Sequence, residues 1–472
     1  MNFIGFFLLL IGQYFTGRGV IQLLKFNGNR VTLACFSLMA GVGVYSFIPF
    51  FLELGKVKLT TASVGGALAA TTLIFMVPLL KHLKTIFSMP KFNFRMPTLY
   101  EVPFYAIFIA LIILSIWRCY YLPPNARDMT SGPGLMAKLA MTEKSFINSI
   151  FSLDLQSTNN YLKPPFIISL QIIYQMFACD LGQLWLSVLF VAFTVWLFSM
   201  MVERIHPLIA CIFFTVYMAT PELYAYTYMV LFDFPNMVYF AAGFYFLSKY
   251  LDEGDSGNFN FAAFLFTVAT YVRTETPILL VLALPLLAVK MWKDKVPPVQ
   301  IALKSFLMMI GSALVYLICM NIYVKHYIPI KYDVSNDVNK NLANIGPLFT
   351  RLTEIVTELI FSPPGMMYYG YFFHIFLFVL AIDLAVFRKL SKTALYILGG
   401  VAVVYVGLAL VGFILPLADL MHTTKRGMFK ILPIIMMYYA YSPFIGKLSS
   451  IITNWEGDKA AEAATTTSAK KK

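Results

Sequence analysis

The stretch Tyr120–Gln171 reads YYLPPNARDMTSGPGLMAKLAMTEKSFINSIFSLDLQSTNNYLKPPFIISLQ and interrupts a chain that otherwise consists largely of apolar runs. An acid, Asp128, follows soon after one apolar run, and a Lys163-Pro164-Pro165 step begins the next. Two prolines fix the entry angle of a helix and place the preceding lysine close to helix N-terminal amides. The interval therefore predicts a chemical site at a membrane surface, held in place by the remaining helices.

The composition is that of an integral membrane protein. Of the 472 residues, 59% are hydrophobic and only 12% are charged, whereas soluble domains contain about 25% charged residues. Backbone amides cannot stay unpaired in hydrocarbon, so apolar runs of roughly 15 to 23 residues must form helices. The runs also lack the alternation of a β-barrel. The predicted fold class is an all-α polytopic membrane protein with about thirteen transmembrane helices.

The formal charge of +13 does not indicate a nucleic-acid partner, because the Lys and Arg residues lie in short loops between apolar runs. Such a distribution is typical of membrane topology. The five cysteines form no CxxC or other ligand spacing, so neither a disulfide nor a zinc site is predicted. No N-x-[ST] sequon occurs, which favours a bacterial membrane.

When the predicted spans between the basic loops are counted, all of these loops fall on one side of the membrane, which we interpret as the cytoplasm. Only Lys56 and Lys58 oppose this orientation. Three larger segments, 121–183, 325–365 and 413–427, then face outside. In the first of them, apolar and polar positions alternate irregularly, so we expect amphipathic helices along the membrane surface. The N-terminus lacks a basic n-region and an A-x-A cleavage site followed by a soluble domain, so its apolar run is predicted to be a first transmembrane helix rather than a cleaved signal.

This organisation predicts four regions. Residues 1–100 contain N-terminal transmembrane helices and a basic cytoplasmic loop, and residues 101–300 form a core that includes the external segment 121–183. Residues 301–450 add C-terminal transmembrane helices, and residues 451–472 are predicted to be a disordered cytoplasmic tail, since they end in a low-complexity Ala/Thr/Lys sequence.

Asp128 is the candidate catalytic residue of the external segment. A carboxylate at the mouth of a helix bundle can accept a proton from a hydroxyl nucleophile, because partial desolvation raises its basicity. A loop aspartate paired with Arg127 would look the same in sequence. Lys163 could bind a lipid-linked phosphate, although a lysine that merely extends to the interface before a proline-started helix is equally compatible.

The order of these features resembles that in the membrane glycosyltransferases of the C-type superfold (GT-C). The features are an apolar span, an acid soon after it, a Gly-containing amphipathic passage and a Tyr-Leu-Lys-Pro-Pro step. The aminoarabinose transferases and protein O-mannosyltransferases are the most similar families in this pattern. The resemblance covers roughly residues 101–285. It implies a GT-C helix bundle with amphipathic juxtamembrane helices, in which Asp128 is the catalytic base and the Lys163-Pro164-Pro165 step precedes such a helix.

Later residues fit the same resemblance. Asp233 stands where the family often carries an acid that lines the donor cavity or binds a metal, although a helix N-cap would also explain it. Arg273 and Glu275 lie between two short apolar runs, either as a structural ion pair or with the arginine on a phosphate. Arg426 follows His422 just before the last span. At this position the family tends to have a cation on the donor side.

The resemblance implies an inverting glycosyltransferase of a hexosyl or pentosyl group. A polyprenyl-phosphate sugar enters from the bilayer, Lys163, Arg273 and Arg426 bind its phosphate, and Asp128 deprotonates the acceptor hydroxyl of a lipid, glycan or protein. No organic cofactor is implied. Carboxylates could instead hold a divalent cation, Mg or Mn, in which case Asp128 would act together with Asp233 or Asp154.

The sequence departs from the family in several places. Asp128 is followed by Met129 where many relatives have Asp-Glu, and the three spans before Glu101 have no counterpart. One alternative is a transporter or lipid flippase, which predicts mid-span charges and paired repeats. Another is a polysaccharide polymerase or ligase of related fold, which would rely on external arginines and a histidine such as His422 more than on Asp128. We expect a multi-pass protein of the bacterial inner (plasma) membrane with its site facing the periplasm.

Overall fold

The computed structural model describes residues 3–82, 97–121, 127–153, 163–328, 345–414 and 419–469, without the side chains of residues 81, 82, 127, 153 and 458–469. Every regular element in these ranges is helical, which confirms the predicted all-α polytopic class. The principal helices are Phe3–Leu23, Arg30–Tyr45, Ile48–Leu54, Thr61–Met76, Val102–Tyr121, Arg127–Thr130, Pro133–Glu143, Ile150–Leu153, Phe166–Ala178, Trp185–Val202, Pro207–Met218, Pro221–Tyr226, Asp233–Glu253, Ser256–Val272, Thr276–Lys293, Pro298–Leu317 continued by a π-helix Ile318–Tyr327, Gly346–Val356, Pro363–Tyr369, Phe372–Ile382, Lys392–Ile414, Ile431–Tyr439 and Pro443–Ala469.

Eight of the described helices are long and apolar enough to cross a membrane, and the number rises to ten if two sharply bent helix pairs each form one span. The predicted count of about thirteen spans is not confirmed. Two of the predicted spans fall short of these requirements: Pro207–Met218 has only 12 residues, and the enclosed helix Asp233–Glu253 ends in charged residues. A helix that other helices enclose does not need a continuous apolar surface, because it does not face lipid.

The helix Asp233–Glu253 is the centre of the bundle, with almost every side chain from Asp233 to Ser248 buried. Gly254 ends this helix in the left-handed conformation, and Asp255 caps the next helix, Ser256–Val272, by accepting hydrogen bonds from two of its backbone amides. The two helices pack closely as an antiparallel hairpin. The end of the second helix, at Val272, therefore returns to the level of Asp233.

The N-terminal helices pack against each other through glycines. A Cβ atom on Gly17 would lie 1.8 Å from the backbone oxygen of Ser37, and one on Gly41 would lie 1.9 Å from that of Gln13. Membrane helices associate through such close backbone approach. The unit is joined to the core by the hydroxyl of Tyr174, which donates to Gln13 at 2.8 Å. These helices, which the resemblance leaves unexplained, are thus a tightly packed part of the bundle.

The helix Phe166–Ala178 differs from the amphipathic surface helix that the sequence predicts. Its side chains from Phe166 to Tyr174 are all buried, so no face of this part meets solvent. Several of its polar side chains pair inside the protein: Gln175 donates to Gln171 at 2.9 Å, and Tyr174 donates to Gln13 at 2.8 Å. The mixed pattern therefore reflects interior hydrogen bonds, not a water-exposed face.

A buried acid fixes the last bend of the chain. The Asp383 carboxylate accepts hydrogen bonds from the hydroxyls of Tyr438 and Ser442, both at 2.6 Å, and from the amide of Phe444 at 2.8 Å. It thus satisfies donors at the break between Ile431–Tyr439 and Pro443–Ala469. The latter helix extends to Ala469, into the segment 451–472 for which the sequence predicts a disordered tail.

Candidate active site

Four helix termini meet at one end of the central hairpin. Asp233 begins its helix, Arg273 follows the end of the returning helix, and Glu275 precedes the helix Thr276–Lys293. Arg426 lies in the short helical segment that leads into Ile431–Tyr439. Charged residues are tolerated here because helix ends carry unpaired backbone groups and partial charges that polar side chains can satisfy.

Arg273 occupies the middle of this junction and is almost fully buried. Its Nη1 forms a buried ion pair with Asp233, and its Nε lies 2.6 Å from Oε1 of Glu275. Burial opposes the charge of Arg273, but Glu275 and Asp233 outweigh it and raise the arginine pKa. For Glu275, burial alone would raise the pKa, and Arg273 with Lys430 and Lys163 lowers it to about 2. Both groups are therefore charged at neutral pH.

Arg426 connects the core of the junction to the predicted base. Its Nη1 lies 3.3 Å from Oδ2 of Asp128 and 3.6 Å from Oδ2 of Asp233. Asp128 stands in the short helix Arg127–Thr130, and its side chain is 38% exposed, compared with 4% for Asp233. Asp128 is thus the acid of the cluster that a molecule from outside can reach, while Asp233 is enclosed by the two arginines.

Lys163 joins the cluster from the start of the helix Phe166–Ala178. Its side chain is half-buried, and it interacts electrostatically with Arg273, Glu275, Asp233 and Arg426. Burial lowers the pKa of Lys163 to about 8, and the positive charge of Arg273 adds to the shift. The Lys-Pro-Pro step therefore brings a cation to the same junction as residues more than one hundred positions further along the chain.

Lys430 belongs to the same cluster and was not among the residues that the sequence analysis selected. It is 1% exposed, and its Nζ lies 3.8 Å from Oε1 of Glu275. The signal was available in the segment MFKILPIIMM, because an ionisable residue inside an apolar span usually marks a site or a partner. We name these seven residues the charged cluster: Asp128, Lys163, Asp233, Arg273, Glu275, Arg426 and Lys430.

A neighbouring ion pair adjoins the charged cluster without belonging to it. Lys425 Nζ lies 2.7 Å from Oε1 of Glu222 and packs 3.8 Å from the centre of the Tyr368 ring. Tyr226 stands between the two groups, since it hydrogen bonds with the guanidinium of Arg426 and interacts with Glu222. The polar surface beside Asp128 therefore continues toward the helix Pro363–Tyr369.

The remaining predicted residues fall outside the charged cluster or outside the described ranges. His422 is largely exposed and pairs with Asp419, with Nδ1 2.7 Å from Oδ2. Asp154 lies outside the described residues. Among the residues described, no group of three or more His, Cys, Asp or Glu side chains is arranged to hold a metal ion. Asp128 and Asp233 would have to release Arg426 before they could share a divalent cation.

The charged cluster can bind an anion and take up a proton. Its four cations and three carboxylates leave one positive charge in excess. The buried cations are fixed by their carboxylates, whereas Asp128 remains accessible. No protein-family model matches the chain, and no curated protein or solved structure matches it either.

Proposed function

We propose that this protein is an integral membrane glycosyltransferase of the GT-C type that moves a sugar from a polyprenyl-phosphate donor to an acceptor hydroxyl. The observation that carries the proposal is the charged cluster, in which an accessible carboxylate, Asp128, is joined through Arg426 and Asp233 to the buried cation Arg273. The proposal includes a bundle of about thirteen spans, in which interior helices such as Asp233–Glu253 complete the membrane domain. It also includes a bacterial inner membrane, with the charged cluster facing the periplasm.

In the proposed reaction, Lys163, Arg273 and Arg426 bind the donor phosphate. Asp128 removes the proton from the acceptor hydroxyl, whose oxygen attacks the anomeric carbon on the face opposite the phosphate. The bond between this carbon and the phosphate oxygen breaks, and both of its electrons leave with the phosphate. Fixed cations that stabilise this developing charge usually supply the largest part of such a catalytic effect.

The charge of the cluster supports a donor with a single phosphate. A sugar linked to polyprenyl phosphate is a phosphodiester with one negative charge, which matches the one excess positive charge of the cluster. After transfer the phosphate is a dianion, and Asp128 has become neutral by taking the proton, so the cluster then has two excess positive charges. A pyrophosphate donor would leave one negative charge uncompensated in a buried site, which is costly.

The positions of the charges also support an enzyme over a transporter or flippase. The charged cluster gathers at helix ends on one side of the bundle, whereas a transport path requires polar groups near the middle of the membrane. His422, one of the residues on which the polymerase or ligase alternative would rely, pairs with Asp419 outside the cluster.

The proposal is tested with the full-length protein in vesicles of its native membrane, which supply the acceptor, after addition of polyprenyl-phosphate mannose or polyprenyl-phosphate aminoarabinose, by measuring the release of polyprenyl phosphate. The wild type and the variant Asp180→Asn, which changes an exposed aspartate of the same external segment, should release it. Asp128→Asn should be slower by about a hundredfold or more, the range in which general bases contribute. Equal rates for Asp128→Asn and wild type, or no release by any of them, would reject the proposal.

A further inference from the structure

Glu275 has a position in the charged cluster that the transfer reaction does not use. It is accompanied by two cations at short range, with Arg273 Nε at 2.6 Å and Lys430 Nζ at 3.8 Å, and its side chain is 10% exposed. Lys163 contributes further positive charge around it. The acceptor-accessible acid is Asp128, at the other side of Arg426, so Glu275 is not placed to receive a proton from the acceptor.

The three cations around Glu275 include two of the residues proposed to bind the donor phosphate. A phosphate oxygen and a carboxylate oxygen accept the same hydrogen bonds from guanidinium and ammonium groups. The carboxylate of Glu275 therefore makes the same kind of interaction with Arg273 that a phosphate would make. An arginine has five N–H donors, so Arg273 can bind the carboxylate of Glu275 and a phosphate at the same time. The negative charges of the carboxylate and the phosphate then repel each other.

We propose that Glu275 is an internal counter-ion of the phosphate site, which weakens the binding of the phosphate product enough for it to leave, and that Lys430 is a further cation of this site. The inference rests on the proposed function, because the product in question is the polyprenyl phosphate that transfer releases. Before transfer the donor carries one negative charge; after transfer the product carries two. The repulsion from Glu275 therefore acts more strongly on the product than on the donor.

The same arrangement explains why Lys430 is buried. A lysine enclosed in an apolar segment is costly unless it is paired, and Glu275 is the partner within reach. Glu275 thus keeps Lys430 and Arg273 charged and oriented when no phosphate is bound. Removing the carboxylate leaves Lys430 without its ion-pair partner and Arg273 with Asp233 alone, so an added phosphate meets less competing negative charge.

The test measures binding and does not require sugar transfer. Farnesyl phosphate, a short prenyl phosphate, is titrated into the full-length protein in nanodiscs by calorimetry, with farnesol as the uncharged reference. Glu275→Gln should bind farnesyl phosphate about tenfold more tightly than wild type, and Lys430→Met about tenfold more weakly. Glu275→Asp, which keeps the charge, should stay close to wild type.

Two controls separate this effect from damage to the fold. Glu253→Gln makes the same chemical change at the opposite end of the 21-residue helix Asp233–Glu253, about 30 Å away, and should leave the affinity unchanged. The double variant Glu275→Gln/Lys430→Met restores the charge balance and should return the affinity toward the wild-type value. A folding defect would lower the affinity, so a tighter complex cannot arise from one.

The outcomes are distinct. An unchanged or lower affinity in Glu275→Gln, with Glu253→Gln at the wild-type value, overturns the inference. Failure of every protein to bind farnesyl phosphate overturns it as well, together with the phosphate site. If Glu275→Gln binds more tightly but no sugar is transferred in the vesicle assay, the proposed glycosyltransferase activity is wrong, while the counter-ion role of Glu275 is retained.

Discussion

One guanidinium nitrogen of Arg426 lies between two acids, 3.3 Å from Oδ2 of Asp128 and 3.6 Å from Oδ2 of Asp233. The first acid belongs to the short helix Arg127–Thr130 and the second to the buried end of the central helix Asp233–Glu253. Arg426 therefore fixes the position of the accessible acid relative to the buried part of the charged cluster.

This contact predicts that Arg426→Lys is not a conservative change. An ammonium group has a single nitrogen on a flexible stem and cannot reproduce the planar donors of a guanidinium. We expect Arg426→Lys to reduce release of polyprenyl phosphate about tenfold and Arg426→Ala about a hundredfold or more. The matched control is Arg351→Lys, because Arg351 contacts Thr424 nearby without entering the charged cluster. Equal losses in the two lysine variants would contradict the prediction.

The burial of Arg273 predicts a large effect on stability. Arg273→Met leaves Asp233 and Glu275 buried without their principal partner, and removing one member of a buried ion pair costs about 3 to 5 kcal/mol. The measurement is thermal unfolding in detergent. The partly exposed pair of Lys249 and Glu253 supplies the control, since Lys249→Met should cost less than about 1 kcal/mol. Similar midpoints for the two variants would argue against the structural role.

The lowered pKa of Lys163 predicts a pH dependence of anion binding. Below a pH of about 8 the ammonium is protonated and attracts phosphate; above it the group is neutral. The affinity for farnesyl phosphate should therefore fall as the pH rises through about 8. In Lys163→Arg the decrease should become smaller in this range, because a guanidinium stays charged, while the other lysine of the charged cluster, Lys430, is retained. Calorimetric titrations between pH 6 and pH 10, about two units on either side of that pKa, test this, and an identical profile in both proteins would refute it.

The native cysteines provide a test of topology. Cys179 is exposed and lies in the segment 121–183 that the proposal places outside the membrane, whereas Cys35, Cys119, Cys211 and Cys319 are buried. A membrane-impermeant maleimide added to intact cells should label the wild type and should not label Cys179→Ser. Labelling that requires broken cells would place this segment, and the charged cluster with it, on the cytoplasmic side.

The packing of the N-terminal helices predicts a contrast between two glycines. A Cβ on Gly17 would overlap the backbone oxygen of Ser37 at 1.8 Å, whereas none of the surrounding atoms lies within 4 Å of a Cβ on Gly66. Gly17→Ala should destabilise the protein by about 1 to 3 kcal/mol, as overpacking does. Gly66→Ala should be neutral or slightly stabilising, because alanine favours the helix. Thermal unfolding of both variants makes the comparison, and equal midpoints would contradict it.

The sequence identified most of the candidate site residues individually, but not as a group. Asp128, Asp233 and Arg273 are charged residues close to the ends of apolar runs, and such positions are unusual enough to be noticed. Lys430 was missed because it lies inside the last apolar run and was treated as part of that run. The roles of these residues in sugar transfer stay predictions, and Asp154 lies outside the described residues.

The sequence by itself determined that this is a helical membrane protein, because its apolar runs leave the backbone no other way to satisfy its amides in lipid. It did not determine which helices face lipid: Phe166–Ala178 and Asp233–Glu253 are interior helices, and burial by neighbours cannot be read from one helix alone. Only the tertiary structure placed Lys430 beside Glu275 and Arg426 between Asp128 and Asp233. Such pairings join residues far apart in the chain, and the packing of helix ends, not local sequence, decides which charges meet.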